Sequence, residues 1–188
     1  MKFVKAMVGG LLLVAAPLAA LADDMSYSYI DLGYVETDLD NGPTADGFGV
    51  RGSVGFAENF FVFGEYTNQD LQGIDIDQFA VGLGGHLSLT EKLDGVGRVG
   101  YLDAEASAGG VSISVDGYLV SAGLRGKVTD DFELEGHVIH RDLGDDGGDE
   151  TAFSIGGRYF FTDQLALGVE YEIGDDAKTF LIGGRFSF

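Results

Sequence analysis

Hydrophobic and polar residues alternate with a period of two over most of the chain beyond residue 28. Phe180, Ile182, Gly184, Phe186 and Phe188 share one face of the last segment, and Leu181, Gly183, Arg185 and Ser187 the other. Such alternation predicts β-strands. The same reading gives nine further faces. They begin with Ile30, Leu32 and Tyr34 and end with Leu165, Leu167, Val169, Tyr171 and Ile173. No Asp, Glu, Lys or Arg interrupts any of the ten faces; His140, near a strand end, is the one residue there able to charge near neutral pH.

Four short turns punctuate the strands, each a small residue, an acid, any residue, then Phe or Leu. They are Ala57-Glu58-Asn59-Phe60, Thr90-Glu91-Lys92-Leu93, Thr129-Asp130-Asp131-Phe132 and Thr162-Asp163-Gln164-Leu165. Their acids recur 33, 39 and 33 positions apart, a period that marks a repeated supersecondary unit. Between the turns lie longer, acidic, Gly-rich segments. The pattern is a meander of hairpins with short turns at one end and five acidic loops at the other.

Aromatic residues gather at the strand ends, among them Phe56, Phe60, Tyr66, Phe79, Tyr101, Tyr118, Phe153, Phe161 and Phe180. Uncharged faces flanked by aromatic ends describe a wall turned toward lipid. A sheet in lipid must close, because an open edge leaves backbone groups unsatisfied. The expected fold is therefore all-β: a transmembrane, antiparallel, up-and-down barrel of ten strands, with eight as the alternative, having short periplasmic turns and five acidic outer loops.

The inward faces are expected to carry charge in pairs. Residues equidistant from a tight turn face one another across a hairpin. This places Arg51 opposite Glu65, His86 opposite Asp94, Lys127 opposite Glu133 and Arg125 opposite Glu135, with Arg158 diagonal to Glu170. Phe61, Phe63, Leu102, Leu119, Ile139 and Phe160 also point inward, so a plugged or very narrow lumen is expected. Isolated charges away from water are costly, whereas paired ones are tolerated.

Residues 1–22 read as a Sec signal peptide. Lys2 and Lys5 supply the positive region, Met7 to Leu18 the apolar region and Ala20-Leu21-Ala22 the cleavage site. The barrel domain is then 23–188. The full chain carries 11 Lys and Arg against 31 Asp and Glu, a net charge of −20; losing Lys2 and Lys5 moves it to −22. Such a balance disfavours nucleic acid as a partner. The absence of Cys removes disulfides and thiol chemistry.

Chemistry-bearing motifs are few. Asp145, Asp146, Asp149 and Glu150 form the densest acidic run and are weak candidates for Ca²⁺ or Mg²⁺, without the spacing of an EF-hand loop. His140-Arg141-Asp142 and His86-Leu87-Ser88 resemble pairings used by hydrolytic barrels. Alternation turns His140 toward lipid, however, and His86 lies at the short-turn end. No catalytic constellation and no cofactor are expected.

The ending Gly183-Gly184-Arg185-Phe186-Ser187-Phe188 resembles the C-terminal assembly signal of outer-membrane barrels. Gly183, Phe186 and Phe188 match it, and Leu181 departs at its polar position. Tyr29-Ile30-Asp31-Leu32-Gly33-Tyr34, Gly52-Ser53-Val54-Gly55-Phe56 and Phe63-Gly64-Glu65-Tyr66 resemble small outer-membrane barrels of proteobacteria (OmpA/OmpX-like barrels), and most nearly the group called "sulfation-dependent quorum factor" outer-membrane proteins. The resemblance implies residence in the outer membrane of a Gram-negative cell and recognition by the barrel assembly machinery. The expected partners are outer-membrane lipid and lipopolysaccharide, the latter through divalent cations, around a monomer. A non-enzymatic envelope-structural or surface-interaction role is expected, with a narrow pore as the alternative and a hydrolase third.

Overall fold

The computed structural model describes residues 25–40 and 42–188. The expected leader over residues 1–22 lies outside the described residues. Ten strands follow in order: β1 (Tyr29–Leu39), β2 (Thr44–Ala57), β3 (Phe60–Asp70), β4 (Asp75–Thr90), β5 (Leu93–Ala108), β6 (Val111–Lys127), β7 (Phe132–Asp142), β8 (Asp149–Phe160), β9 (Leu165–Ile173) and β10 (Ala177–Ser187). A single helical turn, α1 (Gly144–Gly147), joins β7 to β8. Each strand pairs antiparallel with its sequence neighbours, and β1 pairs with β10 from Tyr29↔Ser187 to Leu39↔Ala177, closing the barrel.

The faces are those the alternation predicts. Along β5 and β6, Val99 and Val120 look out while Arg98, Leu102, Leu119 and Ser121 look in. Half or more of Val99, Leu83, Leu124 and Ile155 is exposed on the outer wall. In water so much apolar surface would be unfavourable; in hydrocarbon it is the wall's natural solvent. An upper aromatic ring runs through Tyr34, Phe48, Tyr66, Phe79, Tyr101 and Tyr118, and Phe56, Phe60, Phe161, Phe186 and Phe188 gather at the lower rim.

The lower turns fall where the repeat places them. The Thr that opens two of them acts through its hydroxyl: Thr162 Oγ1 accepts from the backbone N–H groups of Gln164 (3.3 Å) and Leu165 (3.0 Å), and Thr90 Oγ1 from that of Lys92 (3.3 Å). This is a local turn-forming bond open to Ser and Thr. At the opposite rim five connections are present, shorter than the acidic segments suggest. They occupy 40–43, 71–74, 109–110, 143–148 and 174–176. Alternation simply continues past the aromatic ring, so many acids sit on strand ends. β5 and β6 meet through Gly109 and Gly110 alone, with φ of 58° and 85°. A two-residue hairpin needs that left-handed backbone, and glycine supplies it without strain.

Candidate functional site

The lumen has two unlike halves. Beneath β3 to β6 lies an apolar core of Phe61, Phe63, Ala80, Val96, Leu102 and Leu119. Small residues make room for it: a Cβ at Gly84 would run into the Phe61 ring. The rest of the lumen holds ion pairs, most of them on β7 to β10 with β1 and β2.

Glu133 is the deepest of these charges, 1 % exposed. Arg125 grips it with two bonds, Nε to Oε1 and Nη2 to Oε2, both 2.9 Å, and Arg158 Nη1 donates to the same Oε1 at 2.9 Å. Arg158 also reaches Glu135. Arg185 donates through Nε and Nη2 to Asp31 at 2.6 and 2.7 Å, with its guanidinium carbon 3.4 Å above the centre of the Tyr29 ring. Higher in the barrel, Arg51 pairs with Glu170 (2.7 Å), Arg98 with Glu65 (2.7 Å) and Arg141 with Glu172 (2.8 Å).

Three of the expected cross-strand registers are present: Arg51↔Glu65, Arg125↔Glu135 and Lys127↔Glu133 are all register partners. The charges nevertheless choose others. Arg51 passes over β1 and β10 to Glu170, leaving Glu65 to Arg98. Arg125 takes Glu133, the register partner of Lys127 on β6, whereas Arg158 bonds its own register partner across β7 and β8, Glu133, and reaches Glu135 as well, leaving the diagonal Glu170 to Arg51. For Arg51 the reason is steric. β1 and β10 present Gly33 and Gly183 to each other inside the barrel, and a Cβ on Gly183 would come within 2.5 Å of the Leu32 carbonyl oxygen. The wall there is a flat strip of backbone across which a guanidinium can extend.

His86 and Asp94 are not directly opposite, because the turn shifts the register between Ser88 and Thr90. His86 faces Val96 and Ser88 faces Asp94. His86 Nδ1 still lies 3.4 Å from Asp94 Oδ2, a contact not aligned as a hydrogen bond.

What brings these two together is a residue ahead of the first strand. Tyr27 enters the lower mouth and is buried there. Its ring stacks on His86 at 4.0 Å and on Phe61 at 5.1 Å, and the guanidinium of Arg125 sits 4.7 Å from its centre. Its hydroxyl donates to Asp94 (2.9 Å), its carbonyl accepts from Ser53 Oγ (2.7 Å), and the neighbouring Ser26 carbonyl accepts from Arg125 Nη1 (2.9 Å). The described N-terminal segment is thus a bung in the barrel floor. Above it remains a cavity of about 100 Å³ lined by groups that include Arg51, Arg98, Arg141 and His137.

The remaining candidates are dispersed. His140 bonds Thr151 Oγ1 (3.1 Å) near Tyr118 on the outer face, Asp142 accepts from the Gly144 N–H (2.8 Å), and Arg141 points inward. His86 is taken up by Tyr27. Of the acidic run, Glu150 accepts from Arg141 (3.4 Å) while Asp149 pairs in register with Asp142. The side chains of Asp145 and Asp146 lie outside the described part. Gly183, Phe186 and Phe188 lie on the closing strand and its end, with Phe186 and Phe188 stacked at 6.3 Å.

No protein-family model matches the chain, and no curated protein matches it. Among solved structures, NanC porin aligns with a TM-score of 0.53 at 10 % identity, covering 85 % of this chain and all of that one. The N-terminal β-barrel domain of Pseudomonas aeruginosa OprF aligns at 0.48 with 9 % identity, covering 87 % of this chain and all of that one. Ail, the attachment invasion locus protein of Yersinia pestis, aligns at 0.40 with 18 % identity, covering 87 % of this chain and all of that one. The likeness to NanC porin is one of fold.

Proposed function

We propose that this chain is an integral outer-membrane barrel, closed to solutes and non-enzymatic, which acts through the surface it shows outside the cell. The observation that carries the closed reading is Tyr27, locked to β2, β4, β5 and β6 across the floor of an ion-paired lumen. The apolar outer wall between two aromatic zones supports insertion in a bilayer, and closure at β1–β10 removes the sheet edge that lipid cannot tolerate. The short-turn rim, with both chain ends, would face the periplasm, and the acidic rim the exterior. Gly183, Phe186 and Phe188 would be read by the barrel assembly machinery. Outward carboxylates just above the aromatic ring would meet lipopolysaccharide phosphates through divalent cations.

Planar-bilayer recording tests the reading. Wild-type protein is expected to give conductance far below that of a general porin, and Tyr27→Ala to raise it. A steady wild-type current suppressed by neutralising Arg51 and Glu65 would establish the narrow pore instead. Hydrolysis of lipid A or peptides by the purified barrel would revive the enzyme. Insertion itself is checked by bilayer-confined reagents, which are expected to label Cys placed at Val50, Leu124 or Ile182.

A further inference from the structure

Above the upper aromatic ring β6 outlasts its neighbour. It runs from Val111 to Lys127, yet among the described residues β7 pairs with it only from Tyr118↔Asp142 downward. On its other side β5 follows it to the tip, where Ala108 pairs with Val111 across the Gly109-Gly110 turn. After β7 the chain turns inward. Leu143 packs on the apolar core of the lumen, and a Cβ on Gly147 of α1 would lie 3.3 Å from Val115 Cγ2. Above Val115 the edge of β6 stands open to water, with Val111 and Ile113 69 % and 71 % exposed.

The turn decides which backbone groups that edge offers. Residues flanking a two-residue turn form a hydrogen-bonded pair, and bonded and non-bonded pairs then alternate along the ladder. Val111, Ile113 and Val115 therefore turn their N–H and C=O groups to β5. The same parity holds at the foot of the strand, where the Lys127 N–H donates to the carbonyl of Lys92, just ahead of β5, at 2.9 Å. Ser112 and Ser114 turn theirs the other way, to the open side. Such an edge is a template for a further strand, and natural sheets blunt it with charge, proline or a bulge. Val111-Ser112-Ile113-Ser114 has none of these: it alternates β-branched and hydroxyl residues, uncharged, and keeps its register with β5 throughout.

We propose that the open edge of β6 takes an added antiparallel strand, an extended segment of another polypeptide, in the place above β7. The residues of that segment opposite Ser112 and Ser114 carry hydroxyls, since Thr–Ser pairs bond across a sheet. Its alternate residues are β-branched and continue the apolar inner face of Val111 and Ile113. An acid opposite Ser114 is excluded, because Glu105 is the register partner of Ser114 on β5 and Asp116 follows on the same outer side. A second copy fits poorly. Rotation about the membrane normal would join the apolar face of one β5–β6 extension to the acidic face of the other, and each chain carries a net charge of −20. The proposal rests on the reading that this rim lies outside the membrane.

The test uses the full mature barrel in phosphatidylcholine nanodiscs and a fluorescent peptide of alternating Thr and Val on a polyethylene glycol tail. Anisotropy is expected to show binding that empty nanodiscs lack. Ser114→Pro removes an N–H on the open side and spares the β5 ladder, a place where edge strands accept proline. It is expected to weaken binding about tenfold, with heat-modifiable gel mobility unchanged. Peptide methylated on its Thr nitrogens is expected not to bind, and peptide methylated on its Val nitrogens to bind as the parent does. In an antiparallel pair the residues opposite Ser112 and Ser114 are the ones whose N–H groups face β6.

A second measurement leaves the protein unaltered. The peptide is expected to slow amide exchange at Ser112 and Ser114 and to leave Ile113, already bonded to β5, unchanged. Unchanged exchange at both serines, equal binding by Ser114→Pro, or any other pattern between the two methylated peptides would overturn the proposal. The native chain has no Cys, so peptide-independent linkage of two barrels through Ser114→Cys would overturn it as well, with a second copy as the occupant. A barrel that conducts can still pass this test, whereas a chain that never enters nanodiscs sinks the membrane reading itself.

Discussion

Glu133 and Arg125 lie on adjacent strands, not opposite one another, and meet through two parallel hydrogen bonds of 2.9 Å. With Arg158 on the same carboxylate, a single buried anion neutralises parts of two cations. Glu133→Gln would leave both guanidiniums short of charge. Breaking a buried ion pair in this way costs about 3–5 kcal/mol. Urea unfolding in vesicles, followed by heat-modifiable gel mobility, is expected to show that loss. Asp40→Asn, at the exposed Lys178 contact, should be nearly silent.

Gly84 and Phe61 predict a tight steric coupling. A methyl group at Gly84 has no space beside the Phe61 ring. Gly84→Ala is expected to destabilise the barrel by about 1–3 kcal/mol, the usual cost of overpacking. Adding Phe61→Leu should recover part of it. A double-mutant cycle measures the coupling, and additivity would mean the clash is relieved elsewhere.

Outside the lumen, Leu83 stands mid-strand on the outer wall, paired with Val62 and Val99. Leu83→Arg should cost about 2–4 kcal/mol, as cations do near the midplane of a lipid-facing barrel. Ile113→Arg, beyond the aromatic ring, should leave stability essentially unchanged. Refolding yields into lipid vesicles compare the two directly.

One ion pair joins two lower turns: Lys92 Nζ to Asp130 Oδ1 at 2.9 Å. The hydrogen bond and charge of Lys92 hold the Asp130 carboxyl below its usual value. Its contribution is therefore present above the ordinary carboxylate range and fades as pH falls through the lowered folded value. Carbon NMR of the Asp130 carboxyl should show a depressed midpoint, restored to the ordinary range by Lys92→Met. An unaltered midpoint in that variant would remove Lys92 as the cause.

Strand number, facing and hairpin register were legible in the sequence because alternation and turn distance determine them. Arg51↔Glu65 and Arg125↔Glu135 stand where counting from the turns puts them. Which charges bond was not legible. An Arg side chain spans more than one strand, and its choice depends on where inward glycines such as Gly33 and Gly183 flatten the wall. His86 and Asp94 meet despite a register shift no spacing rule signals. Tyr27 had no signal either, since it precedes the first alternating segment and acts as one side chain. The acidic segments looked like loops because Gly and Asp suggest turns, yet their pairing partners extend them as strands.

Tyr27 also sets an order in time. It is made before every strand, but its seat is assembled from His86, Asp94 and Arg125 on β4, β5 and β6 together with Ser53 on β2. The earliest part of the described chain thus has nowhere to settle until the middle of the protein has formed. The floor can therefore be sealed only once β2, β4, β5 and β6 stand together, which is to say once more than half the wall is in place.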